Sequence, residues 1–90
     1  MKLRGCYCEC GEGWQGIISA LDAQLSGDCQ VCQVKEKYGT LRVYVGEATE
    51  ADLDYIDEAE YKSMIVCELC GKPGEIRERY GWVSVACDEH

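Results

Sequence analysis

Apolar residues recur every three or four positions along residues 13–27, which is the spacing of one face of an α-helix. They lie at i, i+3, i+4, i+7 and i+11: Trp14, Ile17, Ile18, Leu21 and Leu25. This pattern predicts a first helix, with Gly27 as its C-terminal stop. We expect the apolar stripe to pack against a sheet.

The pattern then changes to alternation of apolar and polar residues, which is typical of strands with one covered face. Residues 31–37 and 40–45 predict a β-hairpin that turns at Tyr38 and Gly39. Helical spacing returns in residues 48–64, where Thr49 and Asp52 have the spacing of a loose capping box. The apolar stripe predicted for this second helix contains Leu53, Ile56, Ala59 or Glu60, and Met64.

Two short strands are predicted near the C-terminus, "EIRER" and "WVSVA", with turns at Pro73-Gly74 and Tyr80-Gly81. The elements together predict an α+β fold: helix, β-hairpin, helix, then a C-terminal zinc-ribbon-like or treble-clef-like hairpin. We expect a single domain over 1–90, in which 1–66 form a helix–hairpin–helix body and 67–90 form the zinc-binding hairpin.

Cysteine content changes this picture, because eight of the 90 residues are cysteine. A chain this small buries a limited apolar core and usually needs a disulfide, a metal or a partner. The first residues do not resemble a secretory signal, and no apolar run approaches the roughly 18 residues of a membrane span. We therefore expect a cytoplasmic protein that does not associate with a membrane. In such a protein, we expect paired cysteines to bind metal.

The strongest chemical signal is a pair of ligand motifs. Cys67 and Cys70 have C-x-x-C spacing, Cys87 and His90 have C-x-x-H spacing, and sixteen residues separate the two pairs. Both spacings allow a sharp turn that directs two ligands at one point, and Gly71 suits such a turn through its tolerance of positive φ. We expect these four residues to bind one structural Zn²⁺.

Catalysis has little support in the sequence. Four protein ligands close a tetrahedral coordination sphere, so no position would remain for water or substrate. The one histidine would be a ligand, which leaves none for acid–base chemistry. We expect a protein that is not an enzyme.

The cysteines before residue 33 are open to two interpretations. A second zinc would take its ligands from this set: Cys8, Cys10, Cys29 and Cys32. Free cysteines also occur in cores as small apolar residues, and the C-x-C spacing of Cys8 and Cys10 is less usual for a metal site. The sequence favours the core interpretation.

Acidic residues outnumber basic ones by 17 to 9, which gives a formal net charge of −8. That charge opposes simple non-specific binding of nucleic acid, which needs a basic surface. Several acids of the second helix would form a contact face for a basic partner, or only a solvated face: Glu50, Asp54, Asp57, Glu58 and Glu60. Carboxylates along a rigid helix can imitate a row of phosphates.

An alternative is a small nucleic-acid-binding or transcription-regulating zinc module. Its basic residues would be Lys35, Lys37, Arg42, Arg77 and Arg79. Tyr38 and Tyr44 would stack on bases in that case, although exposed tyrosines of a hairpin also form cross-strand pairs.

Two segments carry a family resemblance: "VKEKYGTLRVY" in the hairpin and "CELCGKPGEIRERYGWVSVACDEH" at residues 67–90. They resemble a group of small uncharacterised proteins of bacteriophages, prophages and bacterial genomes, over nearly the whole chain from Cys10. The resemblance implies phage origin and supports the C-terminal zinc set. Four other cysteines depart from the pattern of the group: Cys6, Cys8, Cys29 and Cys32.

Small acidic phage proteins often disable host machinery, and inhibitors of CRISPR–Cas complexes are one such class. The expected function is therefore that of a zinc-stabilised protein-binding module, an anti-CRISPR-like inhibitor of a host defence complex with a basic surface. Direct binding of nucleic acid is the less favoured alternative.

Overall fold

The protein is an α+β chain with two helices and two sheets, as the sequence predicts. The computed structural model describes residues 1–90. A single 3₁₀ turn, Glu12–Trp14, precedes the first helix. In chain order the elements are β1 (Lys2–Leu3), β2 (Cys6–Glu9), α1 (Gln15–Gln24), β3 (Val31–Lys37), β4 (Thr40–Val45), α2 (Glu50–Ser63), β5 (Glu75–Arg79) and β6 (Trp82–Ala86).

The larger sheet has four strands in the order β1-β2-β3-β4. β2 and β3 are parallel, and the other neighbours are antiparallel. β3 and β4 form the predicted hairpin with the predicted bounds. β1 and β2 were not predicted, although the alternating Cys6, Cys8 and Cys10 have the period of a strand when cysteine is counted as apolar. Cys8 lies in the core, and Cys6 and Cys10 pack against it.

Three two-residue turns connect the antiparallel strand pairs, and each pairs a residue with a glycine. Both turn residues have positive φ in every case, 52° and 80° at Arg4-Gly5, 54° and 81° at Tyr38-Gly39, and 54° and 78° at Tyr80-Gly81. Tight hairpins favour this backbone because its twist matches that of the strands.

Helix α1 is shorter than predicted, because it ends at Gln24 and not near Gly27. Leu25 already has extended backbone angles. The guanidinium of Arg4 donates to the carbonyls of Leu25 and Ser26 and to the carboxylate of Asp22. Arg4 thus pairs with the carbonyls of the two residues that follow the helix and, at 3.3 Å, with the Asp22 carbonyl of its last turn.

Helix α2 lies within the predicted range 48–64 as Glu50–Ser63 and has the predicted capping box, but its buried face differs in part from the predicted stripe. Leu53 is 47% exposed and Met64 38%. Ile56 and Ala59 of the predicted stripe are buried, and the other two buried residues are Asp52 and Ser63. These two are polar, and apolar spacing could not reveal them.

The buried polar residues of α2 hold the helix to its neighbours. The Ser63 hydroxyl accepts from the Leu41 N–H at 3.0 Å, and the Glu60 carboxylate accepts from the Val43 N–H at 2.9 Å. Both amides lie on the free edge of β4, so α2 covers an edge that would otherwise expose unpaired donors.

Asp52 connects the two helices. Its carboxylate accepts from the Ser26 hydroxyl at 2.7 Å and the Ser26 N–H at 2.8 Å, and from the Thr49 N–H at 2.9 Å. These bonds, the Ser26 hydroxyl first, hold the pKa of Asp52 well below its usual range.

The core lies between the inner face of the four-stranded sheet and the two helices. Its largest fully buried side chains are Trp14, Leu3, Ile18, Leu21 and Leu41. No helix of the chain has both the length and the apolar character needed to cross a bilayer.

Candidate metal centre

Each predicted ligand pair lies on its own tight turn. The Gly71 N–H donates to the Cys67 carbonyl at 2.9 Å and closes the first turn, and the His90 N–H donates to the Cys87 carbonyl at 3.1 Å in the second. Gly71 has φ of 82°, which confirms the prediction that glycine is needed there.

The two turns bring four ligand atoms together. Those of Cys67, Cys70, Cys87 and His90 all lie within 4.8 Å of one another. The Cys87 sulfur is 3.1 Å from His90 Nδ1, and the Cys67 sulfur is 3.7 Å from the same atom. A tetrahedral zinc ion sets such ligand atoms about 3.5–3.8 Å apart. The cluster is therefore compact enough for small side-chain adjustments to close it around a tetrahedral ion.

The cluster is a set of thiols and not a disulfide. The Cys70 and Cys87 sulfurs are 3.5 Å apart, whereas an S–S bond is about 2.05 Å long. All eight cysteines are free.

Strands β5 and β6 align the two turns. Glu75 at the start of β5 pairs with Ala86 at the end of β6, directly before Cys87. The Glu68 N–H, inside the first turn, donates to the Val85 carbonyl at 3.1 Å. The second sheet thus consists of this one hairpin and sets the distance between the ligand pairs.

The first ligand turn also docks on the body of the protein. The Gly13 N–H donates to the Glu68 carbonyl at 2.7 Å, and the Gly11 N–H donates to the Glu68 carboxylate at 2.8 Å. The Trp14 indole N–H donates to the Val66 carbonyl at 2.9 Å. The segment "GEGW", residues 11–14, therefore forms the backbone surface on which the metal-binding turn docks, here called the seat. The sequence did not predict this role.

Glycine is required in this seat. A Cβ on Gly13 would collide with the Cys67 carbonyl, and a Cβ on Gly71 would lie 3.0 Å from the Gly13 carbonyl oxygen. The signal available in the sequence was the alternation of Gly11 and Gly13 before a buried tryptophan, since glycine often marks a close approach of two backbones.

The thiols differ in acidity. Burial raises the pKa of Cys67, but hydrogen bonding by backbone groups of Cys87 and Cys70 outweighs it, so the pKa lies below the usual value. The same balance lowers the pKa of Cys87, where backbone groups of Glu89 and His90 contribute. Two of the three sulfurs thus favour the thiolate that binds metal.

The donor set fits a metal ion of the zinc class. Three thiols and one imidazole are ligands that zinc prefers, and four protein donors complete a tetrahedron. Cys67 and Cys87 are buried, while Cys70 and His90 are exposed. The cluster therefore lies at the surface, with a buried half that packs on the fold.

The N-terminal cysteines do not form a second cluster of this kind. Cys8 and Cys29 are buried in the core, and Cys32 is exposed in β3. Burial, with the neighbouring Cys8 thiol second, raises the pKa of Cys10 to about 12. Burial also raises the pKa values of Cys8 and Cys29. These thiols behave as small apolar groups.

The five acids proposed as a contact face have unequal surroundings. Glu50, Asp54 and Asp57 are exposed and have no ion pair. Glu58 pairs with Lys62 at 3.0 Å, and Glu60 is occupied by the Val43 amide. The free part of the face is thus three residues along α2.

The five bases of the alternative fall on two separate elements. Lys35, Lys37 and Arg42 lie on the β3–β4 hairpin. Arg77 and Arg79 lie on β5, where Arg77 pairs with Glu75 at 3.3 Å and Asp88 at 2.8 Å.

Comparisons with family models, with curated proteins and with solved structures find no match to this chain.

Proposed function

We propose that the protein is a non-enzymatic binding module whose C-terminal hairpin is held by one structural Zn²⁺. The observation that carries this proposal is the gathering of three sulfurs and one imidazole nitrogen within 4.8 Å. Four protein ligands leave no open coordination position, so such an ion stabilises the fold and does not activate water. The position of the two ligand turns at the ends of one hairpin supports a zinc-ribbon-like or treble-clef-like organisation.

The proposed binding face is the exposed acidic side of α2. Glu50, Asp54 and Asp57 have no intramolecular cation, so their charges are available to a partner. Their helix is fixed to the body through Asp52, Glu60 and Ser63. A row of carboxylates on a rigid support complements a basic surface, including one that normally binds nucleic acid.

The resemblance to phage and prophage proteins supports a more specific proposal. The partner would be a nucleic-acid-binding complex of a host defence system, such as a CRISPR–Cas complex, and the protein its inhibitor. In that role the acidic face competes with nucleic acid for one basic groove.

The experiment compares two double variants with equal change in net charge. Asp54→Lys with Asp57→Lys reverses the proposed face, and Asp28→Lys with Glu78→Lys reverses two exposed acids elsewhere. Each variant is assayed for inhibition of DNA binding by a purified CRISPR–Cas complex, with zinc content measured alongside. We expect loss of inhibition in the first variant only, with zinc content unchanged in both. Equal inhibition by both variants would contradict the proposed face.

A further inference from the structure

The outer face of the four-stranded sheet lies opposite the two helices, and the C-terminal hairpin contacts the sheet at the β3–β4 turn, where Gly39 lies against Val83 and Ser84. Leu3, Cys8, Val34, Leu41 and Val43 point into the core with both helices. Because side chains alternate along a strand, their neighbours in sequence point outward. The outward residues, here called the outer sheet face, are Lys2, Tyr7, Glu9, Gln33, Lys35, Lys37, Thr40, Arg42 and Tyr44.

This face has the opposite charge to the rest of the chain. It contains four bases and one acid, a net charge of +3, in a chain whose formal net charge is −8. None of the four bases forms an ion pair. Four of the nine basic residues therefore lie on one surface without an ion pair and are available to an anion.

The strand register places three of the bases close together. Lys35 lies directly opposite Arg42 of β4 and beside Glu9 of β2, and Lys37 lies opposite Thr40. Lys37 Nζ also lies 5.7 Å from the ring centre of Tyr38 at the hairpin turn. Lys35, Lys37 and Arg42 therefore form one compact cationic patch near the turn of the β3–β4 hairpin, with the Glu9 carboxylate beside it on β2.

Two tyrosines complete the face. Tyr7 is 66% exposed on β2, and Tyr44 is 43% exposed on β4. Both are outward residues of the same sheet as the unpaired bases. Exposed aromatic rings on a sheet provide stacking surfaces for unpaired bases, and the neighbouring cations neutralise phosphates.

We propose that the outer sheet face binds single-stranded nucleic acid, with Lys35, Lys37 and Arg42 on the phosphates and Tyr7 and Tyr44 stacked on bases. An acidic peptide would use the cations but would gain little from the tyrosine rings. The combination of unpaired cations with exposed rings therefore favours a nucleic acid. This surface is distinct from the acidic side of α2.

The test uses the full zinc-loaded protein and two fluorescent probes, a 20-nucleotide oligo(dT) and a 20-nucleotide oligo(U), in anisotropy titrations at low salt. We expect saturable binding of at least one probe. The affinity should fall with salt by about 0.7 logarithmic units per neutralised phosphate for each tenfold increase. The probe that binds with the higher affinity shows whether the preferred ligand is DNA or RNA.

Matched variants distinguish binding at this surface from a general effect of net charge on affinity. Lys35→Ala with Arg42→Ala removes two outward cations, and Lys62→Ala with Lys72→Ala removes two cations that pair with acids elsewhere. The first double variant should lose most of its affinity and reduce the salt slope by about 1.4. The second should bind like the wild type.

Ring variants test stacking. Tyr7→Ala and Tyr44→Ala should each weaken binding about five- to a hundredfold, while Tyr7→Phe and Tyr61→Ala should not. Circular dichroism and zinc content confirm that each variant is folded. The proposal is overturned if neither probe binds, if the two cation variants bind alike, or if poly-glutamate binds as tightly as the oligonucleotides and independently of the tyrosines.

Discussion

The Gly13 amide donates a hydrogen bond to the Glu68 carbonyl at 2.7 Å. This bond joins the segment that precedes α1 to the metal-binding turn. Glu68 lies between the ligands Cys67 and Cys70. Its carboxylate accepts a second bond from the Gly11 amide. The metal site therefore stabilises more than its own hairpin, because the turn that it holds also supports the segment preceding the first helix.

Replacement of Gly13 by alanine should separate the turn from the body. The new Cβ would meet backbone atoms of Cys67 and Glu68, which cannot move aside as a flexible side chain can. We expect Gly13→Ala to lower the free energy of unfolding by about 1–3 kcal/mol, measured in urea with zinc present.

Gly16→Ala is the matched control, since a Cβ there has no neighbour within 4 Å and the residue lies inside α1. Alanine should raise stability at this position by about 0.5–1 kcal/mol. Destabilisation of the same size in both variants would contradict the specific role of Gly13.

Removal of the Glu68 carboxylate should leave the Gly11 amide without its partner. We expect Glu68→Ala to reduce the free energy of unfolding by about 1–3 kcal/mol, the usual cost of an unpaired polar group. Glu89→Ala removes only an exposed ion pair with Lys72, which contributes below about 1 kcal/mol. Thermal unfolding of both variants makes the comparison. A larger loss of stability in Glu89→Ala than in Glu68→Ala would refute the docking role of Glu68.

Asp52 should give the stability a defined pH dependence. Its pKa is lowered in the folded protein by the Ser26 hydroxyl, the Ser26 amide and the Thr49 amide. The charged form is therefore favoured by folding, so its contribution is complete above the unfolded pKa of about 3.9. It is lost as the pH falls through the lower folded pKa.

Asp52→Asn provides the measurement. The difference in urea midpoint between wild type and variant should be constant near neutral pH and should shrink as the pH falls below about 4. Loss of metal in acid affects both proteins and cancels in this difference. A difference that is independent of pH would show that the carboxylate charge has no role.

Loss of a metal ligand should destabilise the fold even where the side chain is exposed. Cys70 and Cys32 are both exposed, so serine at either position removes little packing. Only Cys70 belongs to the ligand cluster. We expect Cys70→Ser to lower Tm by about 10 °C or more and Cys32→Ser to change it little. Calorimetry with and without a chelator measures these Tm values. The chelator should lower the Tm of the wild type towards that of Cys70→Ser.

Periodicity predicted most of the fold, because most elements have a regular apolar pattern. The β3–β4 hairpin and the C-terminal hairpin have the predicted bounds. The predicted buried face of α2 was correct at Ile56 and Ala59 and wrong at Leu53 and Met64, for a physical reason. Asp52 and Ser63 are buried through hydrogen bonds to distant backbone amides, and such bonds leave no apolar signature.

The candidate metal site was predictable because ligand spacing is a local property. Cys67 with Cys70, and Cys87 with His90, each need only one turn. The seat formed by Gly11 and Gly13 was not predictable from local spacing, because it depends on contacts with Glu68 more than fifty residues away. The outer sheet face likewise required the strand register, which places residues of four strands side by side.

X-ray absorption spectroscopy at the zinc edge, combined with native mass spectrometry, tests the central claim most directly. The account predicts one zinc per chain, bound by three sulfurs at about 2.3 Å and one nitrogen at about 2.0 Å. Absence of a bound ion, a second zinc held by the N-terminal cysteines, or an oxygen ligand in place of a protein ligand would contradict it.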